Sequence, residues 1–189
     1  MKWIFLCLII FLTACGGSPS VYKADIINSN YDVVGETTLS EDANGVNVKV
    51  ELVGLSPGFH GIHLHENPTC EGPTFESAGG HWSNSEDAVH GLMQPEDQHI
   101  GDMPNMEVKA SGEASYEYVV EKATLQDGTG SLFNENGGKA LIIHSGQDDG
   151  VSQPAGDSGD RFACAEITKD EKDEETDNPA EGVEEDQEE

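Results

Sequence analysis

Residues 44–52 read NGVNVKVEL, and within them Val46, Val48, Val50 and Leu52 alternate with Asn47, Lys49 and Glu51. Successive side chains of a strand point to opposite faces, so this alternation predicts a half-buried β-strand. Asn44-Gly45 just ahead of it is a two-residue hairpin signal, joining it to a strand near Val34–Leu39. Further along, Met106, Val108 and Ala110 alternate with Glu107 and Lys109, and Ser111-Gly112 leads towards a strand near Tyr116–Val120. Ala140–Ile143 is a short apolar run opening onto His144, and Phe162–Ile167 reads as the last strand. No stretch carries a helical period. Short strands punctuated by Gly, Asn and Asp point to an all-β, antiparallel sandwich or barrel over residues 22–168.

The two ends differ from this domain. Residues 169–189 hold twelve acids and two lysines, a net of −10 within a chain whose formal net charge is −28. With almost no apolar residues to bury, this stretch reads as a disordered acidic tail. So anionic a chain argues against nucleic acid as a partner. At the other end, Lys2 precedes an apolar run from Trp3 to Leu12. It is shorter than the roughly 20 residues of a membrane span but suits a secretory signal. Leu12-Thr13-Ala14-Cys15 resembles the lipobox of bacterial lipoproteins. That resemblance implies a signal peptide over 1–14, a lipidated Cys15 and a flexible tether over 15–21. The protein would then be extracytoplasmic, anchored to a bacterial membrane and facing the periplasm or the cell exterior. The alternative is an ordinary signal peptide with Cys15 incidental. Export permits disulfides. Of the four cysteines, Cys7 lies in the signal and Cys15 in the lipobox, which leaves Cys70 and Cys164 as a disulfide or as two buried thiols.

All seven histidines fall in a metal-binding pattern: His60, His63 and His65 in GFHGIHLHE, His81 in SAGGHW, His90 in VHGL, His99 in HIGD and His144 in LIIH. His63 and His65, two apart on a strand, present their imidazoles on one face. Imidazole-rich sites suit copper and zinc, and three imidazoles with one carboxylate suit tetrahedral zinc. Glu66–Pro104 has no strand pattern and holds His81, His90, His99 and Asp102. A loop of that length is commonly functional, and metal coordination would order it in place of a hydrophobic core.

These motifs, with PAGDSGDRFAC around the sole arginine, Arg161, resemble the Cu/Zn superoxide dismutase family over most of the domain and in the family's order. The resemblance implies a Greek-key antiparallel β-sandwich or barrel with long metal-binding and electrostatic loops. It implies one copper per subunit on His63, His65, His81 and His144, and one zinc on His81, His90, His99 and Asp102. His81 would be shared as an imidazolate, an ionisation that two adjacent cations favour. His60 matches a structural histidine outside the metal site. Asp148, rather than its neighbour Asp149, matches a carboxylate linking a copper-ligand to a zinc-ligand histidine. Arg161 would guide the anion, and Arg161 with His81 would be the catalytic pair. The implied reaction turns superoxide into dioxygen and hydrogen peroxide by Cu(II)/Cu(I) cycling with a zinc-supported bridging histidine.

This chain departs from the family in places. The His81–His90 interval is one residue longer than usual, and Trp82-Ser83-Asn84 replaces Phe-Asn-Pro. Gly150 stands where bacterial members often have Tyr, and residues 145–160 lack lysine. The rival function is an extracytoplasmic copper- or zinc-binding or metal-delivery lipoprotein without turnover, which would need the ligands but not Arg161. Family members differ in subunit contacts, so a homodimer stands among the open assemblies.

Overall fold

The computed structural model describes residues 21–93, 97–134 and 136–169. The expected signal peptide, Cys15, most of the expected tether and the acidic tail lie outside them. β2 (Val33–Asp42) and β3 (Gly45–Val53) form the expected hairpin, in register from Gly35↔Leu52 to Asp42↔Gly45. Val46, Val48 and Val50 are fully buried while Lys49 and Glu51 face solvent, as the alternation requires. The turn falls one residue earlier than Asn44-Gly45. Asp42 pairs with Gly45, so Ala43-Asn44 turns the chain, and Asp42 Oδ1 accepts the Asn44 N–H at 2.7 Å. Gly45, at φ +138°, answers a different constraint: a Cβ there would lie 2.4 Å from the carbonyl oxygen of Val120. That carbonyl ends β7 (Glu113–Val120), which pairs with the far edge of β3.

β1 (Val21–Asn28) was not foreseen, although Tyr22, Ala24 and Ile26 alternate with Lys23 and Asp25; Tyr22 and Ile26 are buried along it. With β5 (Ile62–His65), β8 (Gly138–His144) and β9 (Arg161–Thr168) it completes a seven-stranded antiparallel sheet in the order β5-β8-β9-β1-β2-β3-β7. β4 (Gly58–His60) pairs with β6 (Met106–Val108) in a separate ribbon. β6 stops at Val108 rather than Ala110, since a turn closed by Gly112 N–H to Lys109 O leads straight into β7. Gly61 alone separates β4 from β5, so the ribbon links one end of the curled sheet to the other. The result is a Greek-key barrel whose interior holds Ile26, Leu39, Val48, Leu64, Leu141 and Ile143, all fully buried.

Among its described residues, the stretch from Glu66 to Pro104 contains one 3-10 turn, Glu76–Ala78, and no named strand. It does not lack a core, as its sequence suggested. Phe75, Ala78, Trp82, Ile100 and Met103 are buried, and a Cys70–Cys164 disulfide ties it to β9 with 5.7 Å between the Cα atoms. Trp82 is capped by the ammonium of Lys139, 5.4 Å from the ring centroid, a cation–π contact.

Candidate metal centre

Three segments bring the ligands together. β5 supplies His63 and His65, and the long loop runs beside its open edge. Leu64 donates to Gly101 O, Trp82 donates to Leu64 O, and Gly101 donates to Trp82 O, all between 2.8 and 2.9 Å. This backbone lattice sets His81 opposite His65 and Asp102 opposite His63. β8 ends on His144, whose N–H bonds to Gly61 O at 2.8 Å. Two clusters result, each with its ligand atoms within 4.8 Å of one another: His63, His65, His81 and His144, and His81, His90, His99 and Asp102.

The orientation of each ring shows that these sites fit metal ions. Among the described residues, His63 Nδ1, His65 Nε2, His81 Nε2 and His144 Nε2 are buried without a hydrogen-bond partner. A buried polar atom left unpaired is destabilising, and a cation removes that penalty. The opposite nitrogens are all engaged. His63 Nε2 lies 2.8 Å from Asp148 Oδ2, His65 Nδ1 donates to Gly79 O at 3.0 Å, and His144 Nδ1 donates to Gly159 O at 3.2 Å. In the second cluster the Nδ1 atoms of His81, His90 and His99 lie 2.7, 3.2 and 3.4 Å from Asp102 Oδ1. Ligands at the usual Zn–N distance sit about 3.3 Å apart on the edges of a tetrahedron. His81 belongs to both clusters, with Nδ1 on one side and Nε2 on the other.

The electrostatics divide the same way. Burial pushes the His81 imidazole down to about 4 and His144 to about 3, and holds His65 well below the usual histidine range, with neighbouring imidazoles adding to the effect. These rings are neutral near pH 7 and ready to accept a cation. His90 goes the other way: burial opposes its charge, but the hydrogen bonds it donates to Asp102 and Asp148 outweigh that and lift His90 to about 9. Burial likewise works against ionising Asp102 and Asp148, and their histidine hydrogen bonds hold both well below the usual carboxylate range.

The structure places Asp148 between the clusters, with Oδ2 on His63 and Oδ1 3.0 Å from His90 Nε2, whereas Asp149 is exposed and bonds to Val151 and Ser152. His60 faces neither cluster; its ring nitrogens lie 2.9 Å from His144 O and from Ser56 O. Between His81 and His90 the chain passes through a serine turn, where Ser83 Oγ accepts the Ser85 N–H at 3.1 Å and residues 84–87 are exposed. Both histidines still converge on Asp102. Arg161, half-buried, donates from Nη1 to Phe75 O at 2.5 Å and from Nη2 to Gly79 O at 2.6 Å. It lines a cleft with Ser29, Thr74, Glu76 and Asp160, and among the described residues no lysine contributes to that lining.

Three supporting residues escaped the sequence reading. Asn105 clamps the Asp148 backbone, accepting its N–H and donating to its carbonyl, both at 2.8 Å. Gln153 does the same for His90, at 2.8 and 2.9 Å. Gly156, at φ +67°, leaves room for the Asp148–His90 contact, because a Cβ there would fall 1.8 Å from Asp148 Oδ1. Amide side chains that serve backbone groups leave no spacing pattern to read. Gly156 could have been found through the PAGDSGD motif.

A four-imidazole cluster sharing one ring with a three-imidazole, one-carboxylate cluster, carried on a Greek-key barrel, defines a dinuclear centre of the copper and zinc type. A family model described as copper/zinc superoxide dismutase (SODC) matches residues 33–167. The chain is 43% identical to superoxide dismutase [Cu-Zn] 2 of Aquifex aeolicus over 76% of its own length and 84% of the relative's, and 38% identical to superoxide dismutase [Cu-Zn] 1 of that organism over 88% and 98%. Its structure is similar to a SOD-like protein from Bacillus subtilis (TM-score 0.72, 32% identity, 77% of this chain and 97% of that one). It is also similar to the Cu/Zn superoxide dismutase from Brucella abortus (TM-score 0.64, 29% identity, 78% and 99%). The chain belongs to the copper/zinc superoxide dismutase family.

Proposed function

We propose that the protein is a superoxide dismutase, converting two superoxide anions and two protons into dioxygen and hydrogen peroxide. The observation that carries this reading is the His81 ring, which turns an unpartnered Nε2 into the all-imidazole cluster while its Nδ1 faces Asp102. His63 Nδ1, His65 Nε2, His81 Nε2 and His144 Nε2 would hold copper. His81, His90 and His99 through Nδ1, with Asp102, would hold zinc. Copper, when bound, supplies one-electron exchange in both directions, and zinc supplies a fixed positive charge.

The chain's own groups do the rest. Arg161, fixed by two carbonyls, keeps donor capacity for a small anion in an otherwise acidic cleft. His81 holds a proton at Nε2 and gives it to the second superoxide as that anion is reduced; solvent provides the other proton. Asp148 fixes the tautomers of His63 and His90, so the nitrogens aimed at the metals stay unprotonated once metals are bound.

Arg161→Ala separates turnover from mere metal storage or delivery. The purified protein should keep its copper and zinc by elemental analysis while kcat/KM for superoxide falls about tenfold or more. A parent that holds both metals yet consumes no superoxide would favour the storage reading. We also propose that the chain is exported, lipidated at Cys15 and held on a bacterial membrane. Cys15→Ser should release it into the soluble fraction. The homodimer that the family allows is decided by sedimentation of the loaded protein.

A further inference from the structure

We propose that Tyr31, on the β1–β2 turn, is a positioning residue for Arg161; the inference deepens the superoxide dismutase reading and rests on it. The turn is built to present this side chain. Asn28 N–H bonds to Asp32 O at 3.0 Å, Tyr31 N–H to Asn28 O at 2.9 Å, and Asn28 Oδ1 accepts the N–H groups of Asn30 and Asp32 at 2.9 and 3.0 Å. These bonds hold Tyr31 at φ +66°, the left-handed region that non-glycine residues seldom adopt. Core burial does not explain the arrangement, since Tyr31 is 59% exposed.

What the side chain reaches is the disulfide loop. Its hydroxyl oxygen accepts the Gly72 N–H at 2.9 Å, and its ring lies so close that a Cβ on Gly72 would come within 3.2 Å of Cζ. From Gly72 the loop is stiffened by its own bonds: Phe75 N–H to Glu71 O at 3.0 Å, and Glu71 N–H to Ser77 Oγ at 2.9 Å. Phe75 itself is fully buried, and its carbonyl receives Arg161 Nη1 at 2.5 Å. Of the two carbonyls that fix the guanidinium, Gly79 O also accepts His65 Nδ1 and is held from the metal side. Phe75 O has no such support from the ligands. Within the loop it also accepts the Ala78 N–H at 3.2 Å, and Tyr31 braces that loop at Gly72 from a turn remote in sequence, whose Ser29 lines the same cleft as Arg161.

The test is Tyr31→Phe, which keeps the ring and removes the acceptor, made in the metal-loaded parent and in Arg161→Ala. In the parent background kcat/KM for superoxide should fall about fivefold, the weight of one hydrogen bond. Azide affinity, read from the Cu(II) absorption spectrum, should fall by the same factor with metal content and thermal midpoint unchanged. In the Arg161→Ala background Tyr31→Phe should change neither quantity, because the residue it positions is gone. An equal loss in both backgrounds, or no change in azide affinity in the parent, overturns the proposal. A parent that binds azide but does not consume superoxide would instead sink the dismutase reading and leave the azide comparison to judge Tyr31.

Discussion

Replacing both Cys70 and Cys164 with alanine isolates what the disulfide contributes. The bridge closes a loop of 94 residues. On the chain-entropy relation, that closure removes about 16 cal/mol/K from the unfolded ensemble, or about 4.7 kcal/mol at 298 K. The bridged sulfurs also sit in a small buried cluster with Phe75, Ala78, Ala140 and Ile142, so alanine leaves a cavity that adds to the loss. With a guanidinium m-value of ~4 kcal/mol/M for a domain of this size, the unfolding midpoint should drop by about 1 M or more. The measurement belongs on metal-free protein, where metal affinity does not contribute to stability. A second readout follows from position. The bridged loop carries Phe75 O and Gly79 O, so the loaded double variant should also lose superoxide turnover through a loosened Arg161. A midpoint within about 0.3 M of the parent's, at unchanged m-value, would refute the loop-closure reasoning.

Gly156→Ala drives a methyl group into the Asp148 carboxylate and towards His90 Nε2, 1.8 and 2.7 Å away before relaxation, so zinc affinity should fall about 10- to 100-fold in a chelator competition. In the metal-free protein the raised His90 value adds stability that is complete below about pH 6.5 and is lost as pH rises through about 9. Zinc must displace that proton, so calorimetry at pH 7 in buffers of different ionisation enthalpy should show about one proton released per zinc bound. Copper added afterwards should release one more, from His81. Finally, the cleft around Arg161 carries Glu76 and Asp160 and no lysine, in a chain of net charge −28. Moderate salt should therefore leave kcat/KM unchanged or raise it, and Glu76→Lys should raise it and restore a fall with ionic strength.

Much of the barrel was legible because burial on one face imposes an alternation that no other element mimics. Val46, Val48, Val50 and Leu52 show it best, since β3 sits between two partners and buries every second residue. The misplaced turn has a definite physical source. A glycine at positive φ is the mark of a tight turn, yet Gly45 adopts φ +138° to let the Val120 carbonyl approach. Sequence alone cannot separate those two demands on the same residue type. β1 escaped although it alternates too: Tyr22 and Ile26 are buried and Ala24 partly so, while Val21, Lys23 and Asp25 face outward, but the small Ala24 and the apolar but exposed Val21 blur its inner face.

The two histidine clusters were legible because coordination restricts residue type, and few other roles would gather so many histidines at these intervals. Apart from Asp148, their support was not, because it runs through the backbone. His65, His144 and Arg161 all end on carbonyl oxygens, and Asn105 and Gln153 bind main-chain groups. Any residue can present a carbonyl, so selection there acts on loop shape. That shape is fixed by Phe75, Trp82 and Ile100 in the core, by the disulfide, and by the hydrogen-bonded edge of β5. None of these contacts needs a metal. The pocket is thus assembled by folding, with three neutral imidazoles aimed inward at pH 7, and loading it mainly requires removing the proton from His90 and later from His81. A centre preorganised in this way spends little binding energy on rearranging its ligands, which is what a fixed His81 ring shared by two ions demands.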